Sequence, residues 1–180
     1  MRHWASRRPV SDVVEDFKVS SRTASDWYSF CRDVCSSEML KCEMKIGGVG
    51  SVVEIDETSL KKKSKYNCGK RHPECWLFGG VDRTTKKWFG VLTYEDRTKR
   101  TLSALIRKHV RPGTLIMSDK FGSYVSSNEE HTLANNPTLA GMGYSHQWVN
   151  HSENFVNPAN GAHTQTVEGV WEVRVKQLFG

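Results

Sequence analysis

The sequence predicts an α/β fold, a mixed sheet flanked by helices and preceded by a small helical segment. Three observations predict it. Apolar residues recur at helical spacing over residues 1–45. A glycine-rich stretch at 46–50 (IGGVG) interrupts that pattern. Short strand-like runs, the first rich in β-branched residues, then alternate with helical stretches to the end of the chain, the order expected of an α/β layer structure.

Each element has a local cause. Ser11 is placed as an N-cap before Asp12, Glu15 and Asp16, acidic residues that suit the first turns of a helix. A break at Val19 and Ser20 follows, and Ser21 is placed as the cap of a second helix. Ala24, Trp27, Cys31 and Val34 give this helix one apolar face intended for burial. Arg22 and Ser25 lie near its start. Two short helices with a tight turn between them fit a helix-turn-helix, whose second helix presents its N-terminal residues to the major groove. A plain helical hairpin without DNA contact is the other account.

Residues 46–50 then serve as a hinge, dividing a DNA-binding segment over 1–45 from a larger domain over 51–180. In the larger domain, 51–57 (SVVEIDE), 75–82 (CWLFGGVD) and 87–94 (KWFGVLTY) read as strands. The last two form an antiparallel hairpin around Arg83, Thr84 and Thr85. Residues 98–109 read as a helix with Leu102, Leu105 and Ile106 on one face, ended by Pro112-Gly113. Residues 114–118 (TLIMS) are a short apolar strand, 147–149 the last strand, and Thr166 resumes a helical pattern. The polar stretch 126–143 reads as a surface loop. Taken in order, these elements match the ribonuclease H-like layout.

Composition narrows the partners. A net charge of +6 suits a partner bearing phosphates, and 37% hydrophobic residues suffice for a core. No apolar window approaches the roughly 18 residues a membrane span requires, and no apolar signal core follows the charged start. An intracellular chain is expected. Its five cysteines, odd in number and irregular in spacing, point to reduced thiols. Cys68, His72 and Cys75 lack a second ligand pair, so zinc is not expected. Lys61, Lys62, Lys63, Lys65, Lys70 and Arg71 form a basic run, suited either to DNA phosphates or to a solvated loop.

The chemistry lies in three acids. Side chains alternate along a strand, so Glu54, Asp56 and Thr58 share one face and Glu57 takes the other. A carboxylate in an apolar strand is costly unless solvated, paired or bound to metal. Asp119 falls at the C-terminal end of the 114–118 strand, where open α/β sheets place ligands. Glu168 lies early in the final helix. Three such oxygen donors suit Mg²⁺ or Mn²⁺. Spacing alone does not bring them together, and each taken singly is an ordinary surface acid or cap.

The segments VEIDET (53–58), WLFGGVDR (76–83), PGTLIMSDKFGSY (112–124) and VNHSENFVNPANGAHTQTVE (149–168) occur in this order. In them the chain resembles the transposase domain of the Merlin superfamily and related bacterial insertion-sequence transposases. The resemblance implies a metal-dependent transposase of the Asp-Asp-Glu type, cutting and joining DNA at transposon ends. It makes Asp56, Asp119 and Glu168 the catalytic, metal-binding acids, with two Mg²⁺ or Mn²⁺ ions as cofactors. Some bacterial relatives carry asparagine where this chain has Gln165; Glu168 is the better hard-metal ligand.

Relatives also carry a phosphate-contacting lysine beyond the glutamate, and here Lys176 lies one position later. The resemblance supports DNA contacts from Arg22, Ser25, Lys61, Lys62, Lys63, Lys65 and Lys176. It further implies a dimer or larger assembly on terminal-repeat DNA, in the nucleus of a eukaryotic host or the nucleoid of a bacterial one. Because the sequence stops at Gly180, soon after Glu168, a truncated copy is expected. The competing function class is a non-catalytic, transposase-derived DNA-binding protein.

Overall fold

The structure, a computed structural model, describes residues 2–60 and 74–175. It divides into two units, Met1–Glu43 and Met44–Gly180. The first holds α1 (Arg2–Ala5), α2 (Val10–Phe17) and α3 (Ser21–Lys41). Ser11 is not the cap of α2: it lies inside the helix, and Pro9 occupies the N-cap in extended backbone. Proline lacks the N–H needed to extend the helix upstream, so the chain turns helical just after it. Lys18 ends α2 in the left-handed region, at φ 54°. Ser20, rather than Ser21, caps α3, its hydroxyl accepting the Thr23 N–H at 3.0 Å.

The face expected to be buried on α3 is largely open. Ala24 is buried, but Trp27 is 61% and Val34 63% exposed. α2 has 8 residues and α3 has 21, so α2 is too short to cover Val34, while Trp27 packs edge-on against Phe30. Tyr28 ties α3 to the segment between α1 and α2 by donating its hydroxyl to the Arg8 carbonyl at 2.8 Å.

The second unit is a five-stranded mixed sheet with helices against it, as the alternation of patterns predicted. Its strands are β1 (Val52–Ser59), β2 (Trp76–Asp82), β3 (Trp88–Tyr94), β4 (Leu115–Asp119) and β5 (Ser145–Val149), in the order β3-β2-β1-β4-β5. β2 is antiparallel to β1 and β3, while β4 is parallel to β1 and β5. The β2–β3 turn forms because Asp82 accepts the N–H groups of Thr84 (2.8 Å) and Thr85 (3.1 Å). These same bonds hold the Asp82 carboxyl below its ordinary pKa against the opposing effect of burial.

α4 (Lys99–His109) is capped by Thr98 and buries Leu102 and Ile106 against Val53, Ile55, Phe78, Phe89 and Ile116. A second apolar layer joins Leu77 and Val81 to Val167, Trp171 and Val175. These last three come from α5 (Gln165–Val170) and the π-helical turn that continues it, Trp171–Val175.

Two connecting segments are more packed than their composition suggests. Gly48 donates its N–H to the Thr114 hydroxyl at 2.8 Å, and a Cβ on Gly47 would meet that same oxygen at 2.5 Å. The stretch 126–143, expected as a surface loop, buries Leu133 and Leu139 in the main core. Its Asn136 amide donates to the Ser103 hydroxyl at 2.8 Å. Its apolar residues follow turns rather than a helical or strand period, so no periodicity marks them. Lys61, Lys62, Lys63, Lys65, Lys70, Arg71, Cys68, His72 and Lys176 lie outside the described residues. Among the described residues, no helix is long and apolar enough to cross a membrane, and Cys31, Cys35, Cys42 and Cys75 are free thiols.

Candidate active site

The parallel pairing of β1 with β4 sets Val53 against Ile116 and Glu54 against Met117. Carried two residues onward, that register brings Asp56 level with Asp119, on the sheet face that α5 covers. The electrostatics agree. Burial, and next the charge of Asp119, raise the Asp56 carboxyl from 3.8 to about 7. Burial also raises Asp119, with Glu168 adding to the rise and His151 and Arg97 opposing it. Oδ1 of Asp119 is buried and has no hydrogen-bond partner. Two half-buried carboxyls with raised pKa, one with an orphaned oxygen, form a donor pair suited to a hard cation.

The backbone around Asp119 is held from β5. Leu133 donates its N–H to His146 Nδ1 at 3.3 Å, and His146 Nε2 lies 3.0 Å from the Ser118 hydroxyl. Ser118 in turn donates to the Asp119 carbonyl at 2.7 Å. Burial lowers the His146 pKa from 6.5 to about 4, so the ring is neutral and Nδ1 is free to accept.

Glu168 occupies the first turn of α5 and is more exposed than the aspartates, its side chain 54% accessible. It accepts from the Thr164 hydroxyl at 2.9 Å; that hydroxyl lies 2.9 Å from His151 Nε2. The Glu168 charge raises the pKa of both Asp56 and Asp119, so all three acids share one electrostatic neighbourhood. Among the described residues, however, no three His, Cys, Asp or Glu side chains are gathered as a metal cluster. The aspartates are brought together, and Glu168 stands beside them, bonded to Thr164.

Sequence reasoning passed over several residues here. Glu54, fully buried, accepts Arg83 Nε at 2.5 Å and the N–H groups of Thr166 and Val167 at 2.8 and 3.0 Å. Its place on the Asp56 face, as a charged residue in an apolar strand, was the available signal. Glu57 sits on the opposite face under the hydroxyl of Tyr124, which donates to it. Burial raises Glu57 from 4.5 to about 7. Arg97, stacked 3.6 Å over the Trp76 ring, lowers both Glu57 and Asp119.

Beyond the C-terminal ends of β4 and β5 lies a pocket of about 290 Å³, lined in part by Lys120, Trp148, Asn150 and Asn154. Gln165, the alternative third position, is exposed at the start of α5. Arg22 and Ser25 are exposed in the first turns of α3, in the N-terminal unit.

Comparison with known proteins bears on this arrangement. The family described as the ISXO2-like transposase domain matches residues 47–179, most of the chain and every strand of the sheet together with α4 and α5. The chain belongs to that family. The match begins at Gly47, so this transposase domain coincides with the sheet-containing unit and leaves α1, α2 and α3 before it. Among solved structures, the chain is similar to a chain of the cryo-EM structure of a simian T-cell lymphotropic virus intasome in complex with PP2A regulatory subunit B56 gamma. Identity is 12% and the TM-score 0.44, over 95% of this chain and 61% of that one. No curated protein matches the sequence.

Proposed function

We propose that the transposase domain cleaves and joins DNA strands at transposon ends, with Asp56, Asp119 and Glu168 as its acidic set. The observation that carries this reading is the Asp56–Asp119 pair, two carboxyls from parallel neighbouring strands, each with a raised pKa. Asp56 and Asp119 would hold a divalent cation, Mg²⁺ or Mn²⁺, with Glu168 completing the donor set; a two-ion site is the arrangement that the family resemblance implies. When bound, such ions neutralise charge on the phosphodiester and ease deprotonation of a water or 3′-hydroxyl.

The chain's own groups prepare that event. Trp171 orients the Asp56 carboxyl by donating to Oδ2 at 3.1 Å, and His146 with Ser118 fixes the strand end bearing Asp119. Arg97, close enough to lower Asp119, sits where it can attract a DNA phosphate.

DNA is the partner in this reading, held as a dimer or larger assembly on terminal repeats. Arg22 and Ser25 on α3 are proposed for groove or backbone contacts, and Lys61, Lys62, Lys63, Lys65 and Lys176 for phosphates. A non-catalytic DNA-binding descendant is the second reading, favoured by the bond that keeps Glu168 on Thr164. Cleavage of labelled terminal-repeat DNA in Mg²⁺ separates the two. Wild type should cut and Asp119→Asn should bind without cutting. Equal cutting by both removes the acidic set, and binding without cutting by wild type favours the second reading.

A further inference from the structure

We propose that Glu54 and Arg83 form a positioning clamp that fixes α5, and with it Glu168, against the strand bearing Asp56. The inference rests on the catalytic reading above and names residues that act through Glu168 rather than on DNA.

The argument begins with the helix. α5 has only 6 residues, so the N-terminal N–H groups that lack a partner within the helix are a large share of its backbone donors. A threonine at the N-cap ordinarily accepts one of them. Thr164 makes no such cap bond. Its hydroxyl is given instead to Glu168. The missing acceptor comes from β1, 112 residues away in sequence: Oε2 of Glu54 takes the Thr166 and Val167 N–H groups together.

Glu54 is fully buried, and such a charge persists only when its oxygens are satisfied. Arg83 does this at Oε1 and also donates through Nη2 to the His163 carbonyl at 3.0 Å, just before α5. His163 Nδ1 lies 3.6 Å from the same Oε1. One carboxylate and one guanidinium thus join β1, the β2–β3 turn and the start of α5. Glu54 shares the face of Asp56 two residues along β1, while Val167 immediately precedes Glu168. The clamp therefore sets the separation of the first and third acids. Partners that orient ligands in this way commonly alter metal affinity by about 10–100-fold.

Glu54→Gln and Arg83→Lys test it in the full chain. The first exchanges a carboxylate oxygen for an amide that competes with Arg83 as a donor. The second keeps the charge but cannot reach both Glu54 and the His163 carbonyl in the same geometry. Amide hydrogen exchange, measured without metal, should rise at Thr166 and Val167 in both variants while β1, β2 and β4 stay protected. In end cleavage, the Mg²⁺ concentration for half-maximal rate should rise about tenfold, with DNA affinity unchanged.

Unchanged exchange at Thr166 and Val167 would overturn the clamp. So would a lowered melting temperature with wild-type Mg²⁺ dependence, which marks a merely structural role. Should Glu54→Gln not fold, Arg83→Lys decides by the same two readouts. A wild-type chain that binds ends without cutting defeats the catalytic reading instead, and the exchange arm then decides the clamp by itself.

Discussion

The indole N–H of Trp171 donates to Oδ2 of Asp56 at 3.1 Å, from a π-helical turn that directly continues the helix bearing Glu168. A single π turn shifts side chains relative to an α-helix, and such turns recur at functional sites. Here the ring also fills the space beside Gly79, the β2 partner of Asp56. Trp171 therefore binds the acid and packs the helix with one side chain.

Trp171→Phe keeps most of the ring and removes the donor. Because the indole bond lowers the Asp56 pKa, its loss should move that pKa upward. The acid limb of the cleavage pH profile should shift to higher pH. Stability should fall by about 1 kcal/mol, read from urea denaturation. A pH profile superimposable on wild type would show that the indole only packs.

Gly79→Ala should be far more damaging than its size suggests. A Cβ there would lie 2.2 Å from the Phe89 carbonyl oxygen and 2.6 Å from Cη2 of Trp171. The first of these atoms is backbone of the paired strand β3, which cannot retreat without disturbing the ladder. A loss of about 3 kcal/mol is expected, with cleavage falling along with Trp171 placement. Near-wild-type denaturation would mean that β2 and β3 separate more easily than the sheet geometry implies.

Much of this arrangement was legible in the sequence, and the parts that were not have specific causes. A β-branched run marked β1, apolar and aromatic runs marked β2, β3 and β4, and only the end of β5 was marked. The strand period placed Asp56 and Glu54 on one face. Asp119 was locatable because it ends an apolar strand. Ser11 failed as a cap because Pro9 outranks it, a choice that depends on backbone entry into the helix. The buried face expected on α3 failed because amphipathic spacing does not reveal the length of the partner helix. Glu54 went unread because its bonds reach Thr166 and Val167 across 112 and 113 residues, beyond any local pattern.

The metal-free domain should lose stability as pH rises. Folded Asp56 keeps its proton up to about 7 against an ordinary 3.8, so between those values the folded chain binds more protons than the unfolded one. The stabilisation is complete below the lower value and is lost through the upper. Glu57 acts in the same sense between 4.5 and about 7. His146 acts oppositely, losing stability as pH falls from 6.5 toward 4. Comparing Asp56→Asn with wild type cancels the His146 contribution and most of that of Glu57, whose rise owes a smaller part to the Asp56 charge. The variant should gain roughly 1–3 kcal/mol over wild type at pH 8 relative to the same comparison at pH 5. Calorimetric melting with chelator checks it, and a difference independent of pH would refute it. Mg²⁺ should shrink the gap by stabilising wild type alone.

Tyr124→Phe probes the other face of the same strand. The Tyr124 hydroxyl is fully buried and its proton is held well above the ordinary range, first by burial and then by Glu57. It remains a donor at every working pH, and Glu57 remains its acceptor. Removing it leaves a buried carboxyl short of a bond, at a cost of about 1–3 kcal/mol. That cost should depend on pH in a direction set by Glu57. Below about 7 the Glu57 carboxyl is mostly protonated in the fold, and the lost bond is one between neutral groups. Above it the acceptor is charged, and bonds to charged groups are roughly twice as strong. The destabilisation should therefore be larger at pH 8 than at pH 5. Chemical denaturation at both pH values measures it, and an equal loss at each would mean that Glu57 is not the group that Tyr124 serves.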